Sequence, residues 1–453
     1  MNVVSYITSL VPGAMAFRRL QVEGGNGDEV VASVSRRAAW NGLAGARVVV
    51  SSVPGSPHRV DSKMGLIVSG YPMADFADDS FEANYIRLLT GKSFLGEEAL
   101  LYELTVDLRN RMLIAAVNFL DSADYKAIYH IMIGMGSIRG VHPLDMITAA
   151  ILSLEGHSRV QQKLESDAQH LLTVEDVLED YIDIQGLMLV LVPMAWRIFN
   201  KAPVGDLPRL DRDISYARNL AVSLIPNEEL VGQGEKVLNL LLYLMAYHGA
   251  GNASTFVGLI TTGAFTNPYG DFVAMSKALK GVNHGGAAEM GTRMLFRLAE
   301  EFDGTFTDDD FYRYAIERLR SGASGFCVGH RIITGEDPRA RLQSAMLKRE
   351  FPDSVVMDLA GVWYRNLPKA VQDVCGGDLR VVNVDAYTGV SLIELGIIAN
   401  PQQSGFSTLL FQIARTCGLA TESFWAYLTP DRSGRARVKP ALIRPAAVPP
   451  TAA

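Results

Sequence analysis

Apolar residues return at intervals of three and four along most of this chain, and that spacing confines it to a mainly helical fold. It predicts helices over residues 95–120, 142–155, 229–248, 284–301, 307–320 and 405–417. Local signals sharpen several ends. Thr307 followed by Asp310 reads as a capping box, Gly322 stands where that helix stops, and Gly418 reads as the stop of the helix carrying Arg415. Strand signals are confined to short pieces such as Ala46–Ser51 and Gly65–Ser69. The expected fold class is therefore mainly α with a small β element near the amino terminus, not an α/β alternation. Residues 20–30 read as a loop, and the Pro/Ala-rich tail from Pro445 as disordered.

A chain of 453 residues, 48% hydrophobic, can bury one large core or two connected ones. Its net charge of −7 argues against nucleic acid or an anionic membrane as a general partner. No stretch reaches the roughly 20 apolar residues of a spanning helix, and the most apolar run, Leu187 to Trp196, reads as a buried helix. The apolar segment Asn2 to Phe17 is followed, not preceded, by Arg18–Arg19, the wrong order for a secretory signal, so a cytoplasmic location is expected. Cys327, Cys375 and Cys417 lie far apart without metal-ligand spacing; no metal site is expected, and a reducing compartment suits them. Two phosphate-like motifs fail. Thr90-Gly91-Lys92-Ser93 has Ile86 where a phosphate loop needs its first glycine, and Gly232-Gln-Gly234 has no third glycine.

Four polar clusters interrupt the apolar helices: His248-Gly-Ala-Gly-Asn-Ala-Ser254; His284-Gly285-Gly286 with Glu289; Gly329-His330 with Asp337-Pro338-Arg339; and Asn383-Val-Asp385-Ala-Tyr-Thr-Gly389. Each alone has an ordinary reading. A single His beside an apolar helix is commonly a hydrogen-bonded core residue, Asp-Pro-Arg a helix start, and Asp385 a turn or cap. Together, and in this order, they resemble the citrate synthase family. Gly70-Tyr71-Pro72, Leu88-Leu89-Thr90-Gly91, His142-Pro143-Leu144-Asp145, Ser215-Tyr216-Ala217, Phe411 to Arg415 and Ile443-Arg444-Pro445 extend the resemblance from about residue 43 to 445.

The resemblance implies a large helical domain, residues 1–285 and 391–453, with a smaller helical domain, 286–390, inserted in it. It implies a homodimer, possibly a higher oligomer, and condensation of acetyl-CoA with oxaloacetate to citrate, the chemistry of the tricarboxylic acid cycle, with acyl-CoA as co-substrate and no permanently bound cofactor. His284, His330 and Asp385 match the catalytic positions. His248, Arg339 and Arg415 match the residues that hold oxaloacetate, and Arg444 an arginine reaching in from the second subunit. Arg331 and Arg380 are candidate contacts to CoA phosphates.

The residue types suit the reaction. A thioester α-proton is very weakly acidic, so a base such as Asp385 needs a donor, here His284, to stabilise the enolate as it forms. His284 precedes a predicted helix whose positive end disfavours imidazolium, so a neutral ring would donate. His330 would polarise the ketone, and the arginine forks match two carboxylates. Cleft closure would assemble the set and exclude water. Departures from the family pattern fall elsewhere: Gly249 where Glu is common, Asn283 and Ala288 around the His-Gly-Gly, Leu259 for an arginine, no lysine near Thr334, and Val382 for a proline. These leave the acyl group open, so 2-methylcitrate synthesis from propionyl-CoA, or use of a longer acyl-CoA, stands as an alternative. A non-catalytic binding or assembly protein is a second.

Overall fold

The computed structural model of the chain describes residues 1–10, 58–166, 172–205, 210–249, 251–264, 266–302, 307–330 and 332–428. The expected strand Ala46–Ser51, the loop at 20–30, the tail from Pro445, Arg331 and Arg444 lie outside them.

Seventeen α-helices and one small sheet make up the described chain. The sheet is an antiparallel meander of β1 (Arg59–Asp61), β2 (Gly65–Val68) and β3 (Tyr71–Pro72), in that spatial order. β2 falls where strand signals predicted it, and its four residues are all buried. In chain order the helices are α1 (Val3–Ser9), α2 (Phe81–Thr90), α3 (Glu98–Leu120), α4 (Ala123–Gly136), α5 (Pro143–Ser153), α6 (Arg159–Glu165), α7 (Val174–Phe199), α8 (Tyr216–Leu224) and α9 (Val231–Ala246). There follow α10 (Ala253–Gly263), α11 (Pro268–Leu279), α12 (Gly286–Glu301), α13 (Asp308–Arg320), α14 (Pro338–Glu350), α15 (Val355–Cys375), α16 (Thr388–Glu394) and α17 (Gly405–Leu428).

The periodic stretches became α3, α5, α9, α12, α13 and the first half of α17. The capping box is present at α13: Thr307 Oγ1 accepts from the Asp310 N–H while Asp310 accepts from the Thr307 N–H. Gly91, in the rejected phosphate motif, ends α2 in the left-handed region at φ 69°. The run Leu187 to Trp196 belongs to α7, which by length and composition alone could cross a membrane. It is instead the central core helix, packed between α3 and α17, with 83% of its most apolar window buried.

Gly418 corrects a prediction, because α17 runs through it to Leu428. A Cβ there would lie 2.0 Å from the Ala246 carbonyl oxygen, so this glycine lets α17 cross the end of α9 at backbone contact. Packing, not termination, accounts for it.

Buried apolar side chains form two clusters. The larger takes residues from the β meander, α1 to α11 and α17. The smaller gathers Leu295 and Leu298 of α12, Phe311 and Ala315 of α13, and Trp363, Tyr364 and Leu367 of α15. α12 touches both, since Phe296 packs against the first. Met346 and Val384, inside the segment 286–390, also belong to the first.

Candidate active site

A cavity of about 1160 Å³ lies where the two clusters meet. His248, His284, His330, Arg339, Arg380, Asp385 and Arg415 all line it, so the predicted residues within the described chain converge on one space. Among the described residues, no group of three or more His, Cys, Asp or Glu side chains is placed to hold a metal ion.

Apart from half-buried Asn239, α9 is apolar and buried from Val237 to its end, and it delivers His248 two residues beyond that end. Gly249, at φ 68°, then turns the chain towards Asn252, the N-cap of α10. Asn252 Oδ1 accepts from the Thr255 N–H at 3.1 Å and from Arg415 Nη1 at 2.7 Å. One side chain thus caps α10 and anchors an arginine of α17.

Arg415 is nearly inaccessible to solvent, yet its hydrogen-bond partners among the described residues are neutral: the Met245 carbonyl at 3.0 Å, Asn252 Oδ1 and Ser254 Oγ. Burial, helped by the charge of Arg339, pulls its pKa down to about 9. A buried cation held by dipoles alone favours an anion beside it.

His284 sits in the tight turn before α12. Gly285 and Gly286 make that turn possible, because a Cβ on either would come within 3 Å of the carbonyl oxygen of Leu279 or Lys280. The Ser254 N–H, in the first turn of α10, points at His284 Nε2 from 3.3 Å, and Ser254 Oγ lies 2.7 Å from the same atom. The peptide plane fixes that amide hydrogen, so Nε2 must accept and the ring proton belongs on Nδ1. The helix that follows His284 does not set this tautomer; the amide that does so comes from α10.

His330 and Asp385 come from loops zipped together across the smaller cluster. The Gly329 N–H donates to the Val381 carbonyl at 2.6 Å, and the Asn383 N–H to the Cys327 carbonyl at 3.0 Å, around a bridge between Val328 and Val382. Asn383 adds Nδ2 to the Gly329 carbonyl and accepts from the Asp385 N–H, both at 3.0 Å. His330 Nδ1 accepts from the Ile332 and Ile333 N–H groups at 3.1 and 2.8 Å. Two fixed amides on Nδ1 place the proton on Nε2, which lies 3.4 Å from Arg339 Nη2. Two donors that close converge on the same oxygen-sized space.

Arg339 is held in place by Asp337, with Nε to Oδ1 at 3.0 Å and Nη2 to Oδ2 at 2.7 Å. Asp337 also caps α14 by accepting from the Arg339 N–H. Burial pushes the Asp337 carboxyl up, but Arg339 beside it prevails and holds it below the ordinary range. Asp385 has the opposite balance. Burial pushes its pKa up to about 7, Arg339 and Arg415 only partly offset this, and its Oδ1 is buried without a hydrogen-bond partner. An under-solvated carboxylate titrating near neutrality is chemically a base. The imidazole of His248 stands 4.8 Å from that of His330, and burial followed by the charges of Arg339, His330 and Arg415 keeps its pKa well below 6.5. Arg380 is exposed at the cavity mouth beside Gly329, Gly376 and Gly377.

Sequence reasoning named Asn252, Ser254 and Asp337 only as parts of motifs. The roles of Asn252 as anchor and Ser254 as tautomer setter depend on packing between separate segments, for which the sequence carries no signal, whereas Asp337 clamps Arg339 from two residues away within one motif.

Residues 42–446 match the family model "Citrate synthase, C-terminal domain". The peroxisomal citrate synthase of Saccharomyces cerevisiae is 26% identical over 287 residues, 63% of this chain and 60% of that protein. The mitochondrial citrate synthase 4 of Arabidopsis thaliana is 25% identical over 338 residues, 75% and 66% of the two. The match thus spans less than two thirds of the length of these relatives. Among solved structures, the citrate synthase of Pyrobaculum aerophilum superposes with a TM-score of 0.65 at 19% identity, covering 93% of this chain and 98% of that one. The Thermoplasma acidophilum citrate synthase, solved as a ternary complex with carboxymethyl coenzyme A and oxaloacetate, superposes with a TM-score of 0.64 at 21% identity, covering 87% of this chain and 93% of that one. At these identities the superpositions establish the fold.

Proposed function

This chain belongs to the citrate synthase family, and from that premise we propose that it condenses acetyl-CoA with oxaloacetate and hydrolyses the resulting thioester to citrate and CoA. The observation that carries the proposal is the placement of Asp385, a buried carboxylate with an unpaired oxygen, in one cavity with two imidazoles of fixed tautomer and two arginines.

In this reading Asp385 takes a proton from the carbon next to the thioester while His284 Nδ1–H donates to the thioester oxygen. The enol carbon attacks the ketone of oxaloacetate, whose oxygen accepts from His330 Nε2–H. Arg339 and Arg415 take the carboxylates, and His248 lines the same wall. Water then cleaves the thioester, which releases CoA and makes the sequence effectively irreversible. Arg380, at the mouth, is positioned to meet a CoA phosphate, Arg331 stays a candidate for the same contact, and Arg444 retains the role the family resemblance implies. The reading also makes the protein a homodimer, consistent with exposed apolar residues Ile114 and Val117 on α3 and Ile131 and Ile133 on α4. Its mass in solution tests this point.

Thiol release with oxaloacetate and a series of acyl-CoAs tests the reaction. Acetyl-CoA is expected to be the best substrate, with Asp385→Asn slower by about 10²–10⁴. A preference for propionyl-CoA above about tenfold, about 1.4 kcal/mol of transition-state discrimination, overturns the acyl assignment. Silence with every acyl-CoA overturns the enzymatic one.

A further inference from the structure

The turn between β1 and β2 touches the segment that carries His330 and Arg339, and no step of the reaction uses it. We propose that this turn, Ser62 to Gly65, is a positioning element that seats Pro338 and thereby fixes Arg339 for the dicarboxylate; the inference rests on the function proposed above.

Two contacts make the joint. The Thr334 N–H donates to the Ser62 carbonyl at 2.9 Å. Gly65, at φ 73°, presents its bare Cα to the Pro338 ring: a Cβ there would lie 2.6 Å from Pro338 Cγ and 3.0 Å from Cδ. Neither side can easily give way. The proline ring is rigid and opens α14, directly before Arg339. On the other side β2 is anchored, since Leu66 and Val68 are buried in the larger cluster. Asp61 Oδ1 stiffens the turn by accepting from the Lys63 and Met64 N–H groups, each at 2.8 Å. The turn therefore ties the loop of residues 332–338 to the body that holds Arg415. The relation between Arg339 and Arg415, and hence the spacing of the carboxylates they accept, depends on that tie.

The test compares wild type, Gly65→Ala, Pro338→Ala and the double variant by calorimetric binding of oxaloacetate, by KM for each substrate, and by amide exchange at Thr334. Gly65→Ala is expected to weaken oxaloacetate binding by about tenfold or more, to raise its KM without a matching change for acyl-CoA, and to speed Thr334 exchange. Pro338→Ala, which leaves the turn's own backbone unstrained, should also speed that exchange. In the Pro338→Ala background, adding Gly65→Ala should weaken oxaloacetate binding less than in wild type, since the clash has gone and only the local strain of alanine at φ 73° remains. The full penalty persisting in that background, or Thr334 exchange unchanged in Gly65→Ala, overturns the proposal. If wild type neither binds oxaloacetate nor releases thiol, the substrate reading fails, and Thr334 exchange still decides whether the turn holds the loop.

Discussion

Replacing Asp385 by Asn removes the proposed base and also a buried charge, and the two losses act in opposite directions. Burial pushes this carboxyl up to about 7 from the ordinary 3.8, with Arg339 pulling back, Asp337 adding to the rise and Arg415 pulling back again. The folded protein therefore binds this proton more tightly than the unfolded chain does. As pH rises from about 4 to about 7 the unfolded chain ionises first, and the fold loses about 1.4 kcal/mol per unit. Above about 7 the loss levels off. The interval gives an upper bound of about 4 kcal/mol. Asn keeps the shape but cannot ionise, so Asp385→Asn is expected to be nearly as stable as wild type at about pH 4 and more stable at about pH 8, by up to that amount. Turnover should meanwhile fall by about 10²–10⁴, and wild-type kcat/KM should drop about tenfold per unit below about pH 7 as the base protonates. Denaturant unfolding of both proteins at the two pH values is the assay. A stability gap that does not widen with pH, or an Asn variant less stable than wild type at the higher pH, refutes the argument that Asp385 is held in an under-solvated site.

Asn252→Ala removes the cap of α10 and an acceptor of Arg415, so it should cost about 1 kcal/mol of stability and raise KM for oxaloacetate above that for acyl-CoA, which steady-state kinetics will read. Gly418→Ala places a methyl against the Ala246 carbonyl where α17 crosses α9. It should destabilise by about 1–3 kcal/mol and, by shifting the end of α9, perturb the His248 ring resonances in NMR spectra. Asp337→Ala leaves the buried guanidinium of Arg339 without its carboxylate and should cost about 3–5 kcal/mol; a melting temperature equal to that of wild type would show that the clamp is dispensable.

The helices were legible where one face is apolar and caps are local. Thr307 and Asp310 cap each other across a single turn, and the stretch 229–248 became α9 with little change at its ends. Reading failed where a residue answers to a distant neighbour. Gly418 looks like a stop but serves the crossing of two helices remote in sequence. α15 went unpredicted, and Pro368 inside it reads locally as a helix breaker. The site divides in the same way. His284, His330, Asp385, His248, Arg339 and Arg415 were recognisable by type and order, and they share one cavity. The Ser254 amide that sets the His284 tautomer and the Gly65 contact beneath Pro338 could not be read, because each joins segments that only tertiary packing brings together.

On the proposed mechanism this cavity removes a proton from the carbon beside a thioester and makes a carbon–carbon bond there. Mass spectrometry of the products formed from oxaloacetate and acetyl-CoA with a fully deuterated methyl group tests it directly. Citrate that has lost one of the label's three deuterons is expected, with free thiol released in equal amount and both products formed about 10²–10⁴ times more slowly by Asp385→Asn. Acetate retaining all three deuterons, with no citrate, would mean simple thioester hydrolysis and would contradict it.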